Sequence, residues 1–514
     1  MIKNAVIIGA GPAGLTAALE LLEKAPGVSV TVLEAADAVG GISRTVCFDG
    51  NRMDLGGHRF FSKDERVLRR WESLLPMQGA PALDDRLLGR DVPLLKGGPD
   101  PEREDGVMLR RSRVSRIYWN GRFFDYPVTL SAGTLKNMGL RVAAQVGMSY
   151  IASALRPLPE TSLENFYINR FGRKLYSMFF ESYTEKLWGR HPSRISAAWG
   201  AQRVKGLSVT AVLKNALLPK KKDPAQVETS LIESFIYPKL GPGQMWETAA
   251  ERVRALGGRI RTGCGVTGLE TRENRVTAVL AGGERILADA VLSSMPLCDL
   301  VAGMNDVPEN VSRIAKGLPY RDFVTVGLLV DSLLLKEKGP GAGLGGITPD
   351  CWIYVQDASV RLGRIQIFNN WSPYMVADPV RTVLVGLEYF CREGDDFWNL
   401  SEEDCVRLAV GELRKIGVLS EDARVLNAHR ERVKKAYPAY FDTYAQMDVL
   451  RGYLDSFDNL YLIGRNGQHR YNNMDHSMMT AYEAVKDILS GAAGHQNVWN
   501  VNTEQVYHEG GSNE

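Results

Sequence analysis

Cysteine is scarce in this chain of 514 residues and scattered where it occurs, at Cys47, Cys264, Cys298, Cys351, Cys391 and Cys405. No two stand close together, which excludes a zinc ribbon or a disulfide framework and suits reduced thiols. The 7 histidines show no metal-ligand spacing, so no metal site is expected. An excess of one charge is also missing. With 62 basic and 60 acidic residues the formal net charge is +2, which gives no electrostatic reason to expect nucleic acid as a partner. No apolar run is long enough to span a bilayer, and the first one begins at Ala5, with no room before it for a leader. The expectation is a cytoplasmic protein without a membrane span. There is no internal repeat and no Ser-His-Asp or paired-carboxylate constellation, and the oligomeric state stays open.

What is present begins at the N-terminus. Ala5 to Ile8 is a short apolar run suited to a buried parallel strand, and Gly9, Gly11 and Gly14 follow in VIIGAGPAGLTAALEL. In that order they allow a tight turn, close approach of backbone to a pyrophosphate and close packing of a helix whose N-terminus faces the diphosphate. Val30 to Leu33 reads as the second strand. It ends at Glu34, twenty residues after Gly14, where a carboxylate accepts from ribose hydroxyls and disfavours a 2′-phosphate. Gly40, Gly41 and Arg44 form a second turn where backbone and a cation meet a diphosphate, the pattern of FAD-binding proteins of the amine oxidase type.

The length predicts two or three domains. Residues 79–106 are rich in Pro, Gly, Asp and Arg and read as a surface insertion, and PKKKDPAQVET at 219–229 reads as a solvated loop. Between them, 131–217 has helical periodicity, with Thr161 or Ser162 and then Glu164 marking a helix start. YPKLGPGQMWETAAERVRALGG contains a further helix followed by strands. FVTVGLLV, CWIYV and TVLVGLEYF are strand-like, and the last folded segment is a strand, a glycine turn and a long helix. The tail VYHEGGSNE reads as disordered.

Several blocks, in order, resemble the UDP-galactopyranose mutases, and the long eukaryotic-type members more than the bacterial ones. They are LGGHRFFSK, FFESYTEKLWGRHPSRIS, CWIYVQDASVRLGRIQIFNNWSP, AYP and GRNGQHRYNNMDHSMMTAYEAV. The wider superfamily includes amine oxidase-like and protoporphyrinogen oxidase-like enzymes, which share only the FAD segments. The resemblance implies an α/β fold: a Rossmann-like FAD-binding domain of the glutathione reductase type 2 class, a helical domain and an antiparallel β-sheet substrate domain. The expected partition assigns 1–78, 237–300 and 455–495 to FAD, 79–113 to an insertion, 114–236 to a strand plus the helical domain, 301–454 to the substrate sheet and 496–514 to a tail.

It also implies roles. Gly56, Gly57, Val266, Gly464, Arg465, Met474 and Asp475 join the glycine turns around FAD, with His58 beside the flavin ring. Arg203 and Arg364 fall where two arginines hold the substrate diphosphate, which suits a charged planar fork. Tyr354, Tyr437 and Tyr471 fall where phenols donate to the same phosphates. Thr184, Trp188, Trp352 and Asn473, or its neighbour Asn472, fall on the substrate side. Tyr126 would stack on the base, but Val128 and Thr129 replace the segment where the family has a uracil-reading amide, so a nucleotide other than uridine stays open.

The activity so implied is a flavin-dependent, non-redox conversion of a nucleotide-linked pyranose to the furanose, through an adduct of the sugar with N5 of the reduced flavin, with NADPH or NADH as reductant. The product would feed synthesis of a cell-surface polysaccharide. The alternative is an FAD oxidoreductase acting on an amine or an apolar ring, which needs an apolar pocket beside the flavin. A flavin-free binding protein would leave the glycine signature without a purpose.

Overall fold

A computed structural model describes residues 2–126, 132–197, 234–339, 341–492 and 494–502. Arg203, Val128, Thr129, the lysine run at 219–229 and the VYHEGGSNE tail lie outside them.

Three separated stretches of chain build a five-stranded parallel sheet in the order Leu460–Leu462, Ala290–Ser293, Asn4–Ile8, Ser29–Leu33 and Arg259–Arg261. Its strands are apolar on both sides because both faces are covered. On one face Ile7 and Val32 pack under the helices Pro12–Lys24, Pro242–Ala255 and Met474–Ser490, through Leu15, Leu19, Trp246 and Met478. On the other, Val6, Ile8, Leu33 and Val291 meet Leu269, Val279 and Leu300, from the three-stranded antiparallel sheet 266–287 and the short helix Leu297–Ala302. The first helix packs this closely because residue 14 has no side chain. A Cβ there would lie 1.8 Å from the Gly9 carbonyl oxygen.

The second large sheet has seven strands, ordered Val425–Pro438, Tyr320–Val330, Val383–Cys391, Arg364–Ile367, Trp352–Val355, Ser115–Trp119 and Arg122–Asp125. The antiparallel expectation needs one correction, since Trp352–Val355 runs parallel to Ser115–Trp119. No hairpin joins these two strands, so nothing forces the antiparallel sense. Helices Leu140–Leu155, Leu163–Phe179 and Glu181–Trp188 form the helical unit. Ser162 caps the second, its Oγ accepting from the Asn165 N–H at 3.2 Å. That helix breaks at Gly172 (φ 78°), where a Cβ would lie 2.8 Å from the Tyr150 nitrogen.

Residues 79–106 do not all lie on the surface. Ala82, Asp84 and Asp85 are buried, and Arg111 donates to Asp84 at 3.0 and 3.1 Å. Charged composition here marks a buried ion pair, which composition alone cannot distinguish from a solvated loop.

Candidate active site

One cavity of about 1300 Å³ runs from the end of the second strand, past two helix N-termini, to the seven-stranded sheet. At its first end, Glu34 accepts from the Ala10 and Ala36 N–H groups at 2.7 and 2.9 Å, which fixes the carboxylate where the strand ends. Gly9 has φ +100°, and a Cβ on it would lie 2.1 Å from Ser294 Oγ. The Gly11 and Gly41 turns face each other, the hypothetical Cβ of Gly11 being 3.8 Å from Gly41 Cα. Backbone thus forms both walls of a channel into which the helix starting at Pro12 points its N–H groups. The helix Met474–Ser490 presents a second N-terminus, and Asn473, Met474 and Asp475 line the cavity there. Two positive helix ends and a glycine-walled channel fit a dinucleotide diphosphate.

The middle section is set by Gly56, Gly57 and His58. A Cβ on Gly57 would lie 2.1 Å from the Trp352 ring, so that indole presses directly on backbone. His58 Nδ1 is 3.0 Å from the Gly56 carbonyl oxygen. A carbonyl only accepts, so Nδ1 carries the proton. Burial, helped by the charge of Arg465, pulls the His58 pKa down to about 4, and the ring is neutral near pH 7.

At the far end Arg364, on the strand Arg364–Ile367, is held on three sides. Its Nε donates to the Tyr183 hydroxyl at 2.5 Å, and its Nη1 donates to Glu388 at 3.0 Å and to the Tyr437 hydroxyl at 3.2 Å. Gln366 donates to the other Glu388 oxygen at 2.7 Å. Burial opposes the charge of Arg364, but Tyr183, Tyr437 and Glu388 hold it firmly protonated. Aromatic rings surround it. Trp352 stacks on Tyr354 at 5.9 Å and Tyr437 on Tyr471 at 5.7 Å, and Tyr126 lies tilted against Tyr354 at 4.4 Å. Arg59 and Arg113 line the same part of the cavity, where burial and the neighbouring Arg59 charge both lower the Arg113 pKa.

The structure brings most of the expected residues to this one cavity: Gly9, Gly11, Glu34, Gly41, Gly56, Gly57, His58, Tyr126, Thr184, Trp188, Val266, Trp352, Tyr354, Arg364, Tyr437, Gly464, Arg465, Tyr471, Asn473, Met474 and Asp475. Gly14 and Gly40 do not line it. Arg44 does not line it, because its guanidinium turns to Glu431 at 3.4 Å. Asn472 also lines the cavity, but its side chain is engaged within the protein, donating to Gly464 and Gln468 and accepting from Asn502. Asn473 caps the last long helix. Sequence reasoning missed Glu388, Tyr183, Arg59 and Arg113. A signal for Glu388 existed, since it is the one acid in the apolar strand VLVGLEYFC. Tyr183 stands beside Thr184 in a block already singled out.

The profile of the family described as "Flavin containing amine oxidoreductase" matches residues 12–489. The chain belongs to that family, and FAD is the cofactor its glycine channel fits. Among solved structures, it superposes on a reduced UDP-galactopyranose mutase with a TM-score of 0.77 at 20% identity, over 98% of this chain and 99% of that one. A putative protoporphyrinogen oxidase from Exiguobacterium sp. 255-15 gives 0.65 at 17% identity, over 95% and 99%. Putrescine oxidase from Kocuria rosea is 44% identical over 66 residues, which make up 13% of each chain.

Proposed function

We propose that the chain is a flavin-dependent, non-redox isomerase that interconverts the pyranose and furanose forms of a nucleotide sugar, with UDP-galactopyranose the first substrate to try and NADPH or NADH the reductant. The observation that carries this reading is the cation-rich, hydroxyl-rich far wall around Arg364. A reduced flavin supplies an electron-rich nucleophile; the side chains supply binding, orientation and charge stabilisation. Arg364 lines the cavity, and its Nη2 makes no hydrogen bond to the protein among the described residues, which leaves an N–H edge for a phosphate oxygen. Tyr354, Tyr437 and Tyr471 add phenolic donors, so negative charge is stabilised as a diphosphate leaves the anomeric carbon and again as it returns. Thr184 and Trp188 border the sugar, and the aromatic lining keeps water from a reactive carbon. His58, neutral near pH 7, would lie beside a bound flavin without adding a charge.

Similarity to the reduced mutase supports the same reading. A second reading, oxidation of an amine, is favoured by the 66-residue likeness to putrescine oxidase. Against it, an ammonium substrate would face Arg59, Arg113 and Arg364 in the same part of the cavity. The two are separated by incubating dithionite-reduced protein with UDP-galactopyranose and, in parallel, oxidised protein with putrescine in air. The expected result is a new isomer of equal mass from the reduced enzyme and no peroxide from the amine. Peroxide release, with no isomer from any nucleotide sugar in a panel, would overturn the proposal.

A further inference from the structure

The helix Leu140–Leu155 forms part of the cavity wall through Ala143, Val146, Gly147, Tyr150 and Ile151. Beside a polar line of Arg141, Gln145, Ser149 and Ser153, of which Arg141 and Gln145 are exposed, its outward side carries large apolar residues. Leu140, Met148 and Leu155 are 88%, 63% and 77% exposed, and their spacing places them on one arc of the helix with Ala144 between them. Single exposed leucines are ordinary, but three large apolar side chains on one face mark a contact surface.

The charge around this face is one-sided. Residues 126–180 contain six cations (Lys136, Arg141, Arg156, Arg170, Arg173 and Lys174) and two carboxylates (Glu160 and Glu164), in a chain that nets +2. Glu160 pairs with Arg170 and Glu164 with Arg173. Lys136, Arg141, Arg156 and Lys174 have no carboxylate partner among the described residues.

We propose that this face docks on an anionic lipid bilayer, with Leu140–Leu155 lying in the headgroup region and the flanking cations on lipid phosphates. A helix of 16 residues is about 24 Å long, and among the described residues no helix is long and apolar enough to cross a membrane, so the geometry is that of a helix lying on the surface. Charge selects the bilayer over a second copy of the chain. A symmetric self-contact sets the same uncompensated cations against one another, whereas anionic headgroups neutralise them.

The test is co-sedimentation of the full, flavin-loaded chain with vesicles of phosphatidylcholine alone or containing phosphatidylglycerol. Binding to the anionic vesicles, weakened by salt, is expected. L140S/M148S/L155S should lower partitioning at least about tenfold with flavin content unchanged, and R141E/R156E should abolish the preference for anionic vesicles while leaving the apolar face intact. The proposal is overturned if the wild type stays in the supernatant with both vesicle types, or if neither variant changes partitioning. It is equally overturned if sedimentation velocity shows a wild-type dimer that the triple variant converts to monomer without any vesicle binding.

Discussion

Arg364 and Glu388 are one unit: a guanidinium and a carboxylate, 8% and 0% exposed, in contact at 3.0 Å. Removing only one partner strands the other's charge, at a cost of about 3–5 kcal/mol. Arg364→Ala should therefore retain yellow FAD, lose stability and lose at least about 100-fold in kcat/KM, the range of a lost transition-state donor. R364M/E388Q separates the two effects, because it should recover the melting temperature without recovering turnover. Near-wild-type turnover in either variant would remove Arg364 from the proposed diphosphate site.

Asp54 offers a second test at this scale. Fully buried, it accepts from the Tyr237 hydroxyl and from Thr45 at 3.0 Å, and burial pushes its pKa up to about 7. A raised carboxyl pKa favours the folded state only while the group is protonated. Its contribution is complete below about pH 4 and is lost as pH rises through about 7. The wild type should lose several degrees of melting temperature between pH 5 and pH 8 that D54N does not lose, and parallel curves for the two proteins would refute the assignment.

At the scale of elements, the parts legible in sequence were those with a local signature. The glycines of the first turn announce a strand, a sharp reversal and a helix because only backbone fits there, and Ser162 announces a helix start because its hydroxyl replaces a missing turn of hydrogen bonds. Gly14→Ala tests this logic. Its Cβ would meet an immovable backbone oxygen, so the helix must lift from the strand and the variant should purify with little or no flavin. Full flavin content would contradict it. Partners distant in sequence were not legible from local pattern. Nothing local pairs Arg364 with Glu388, puts Tyr183 against Arg364, turns Arg44 toward Glu431 or tucks Arg111 against Asp84, since each depends on how separate strands come into register. The parallel pairing of Ser115–Trp119 with Trp352–Val355 escaped for the same reason.

At the scale of the molecule, two sheets share one cavity. The parallel sheet and its helix ends provide the family's dinucleotide channel, and the seven-stranded sheet provides the Arg364 wall on which the proposed anionic ligand would bind. The most direct test of that division follows an ¹⁸O label placed between the anomeric carbon and the β-phosphate of UDP-galactose, by ³¹P NMR. Reduced enzyme should scramble the label into the non-bridging phosphate positions, oxidised enzyme should not, and R364M/E388Q should scramble it at least about 100-fold more slowly. A label that stays in its bridging position with the reduced wild type would mean that the diphosphate never leaves the sugar, which contradicts the account.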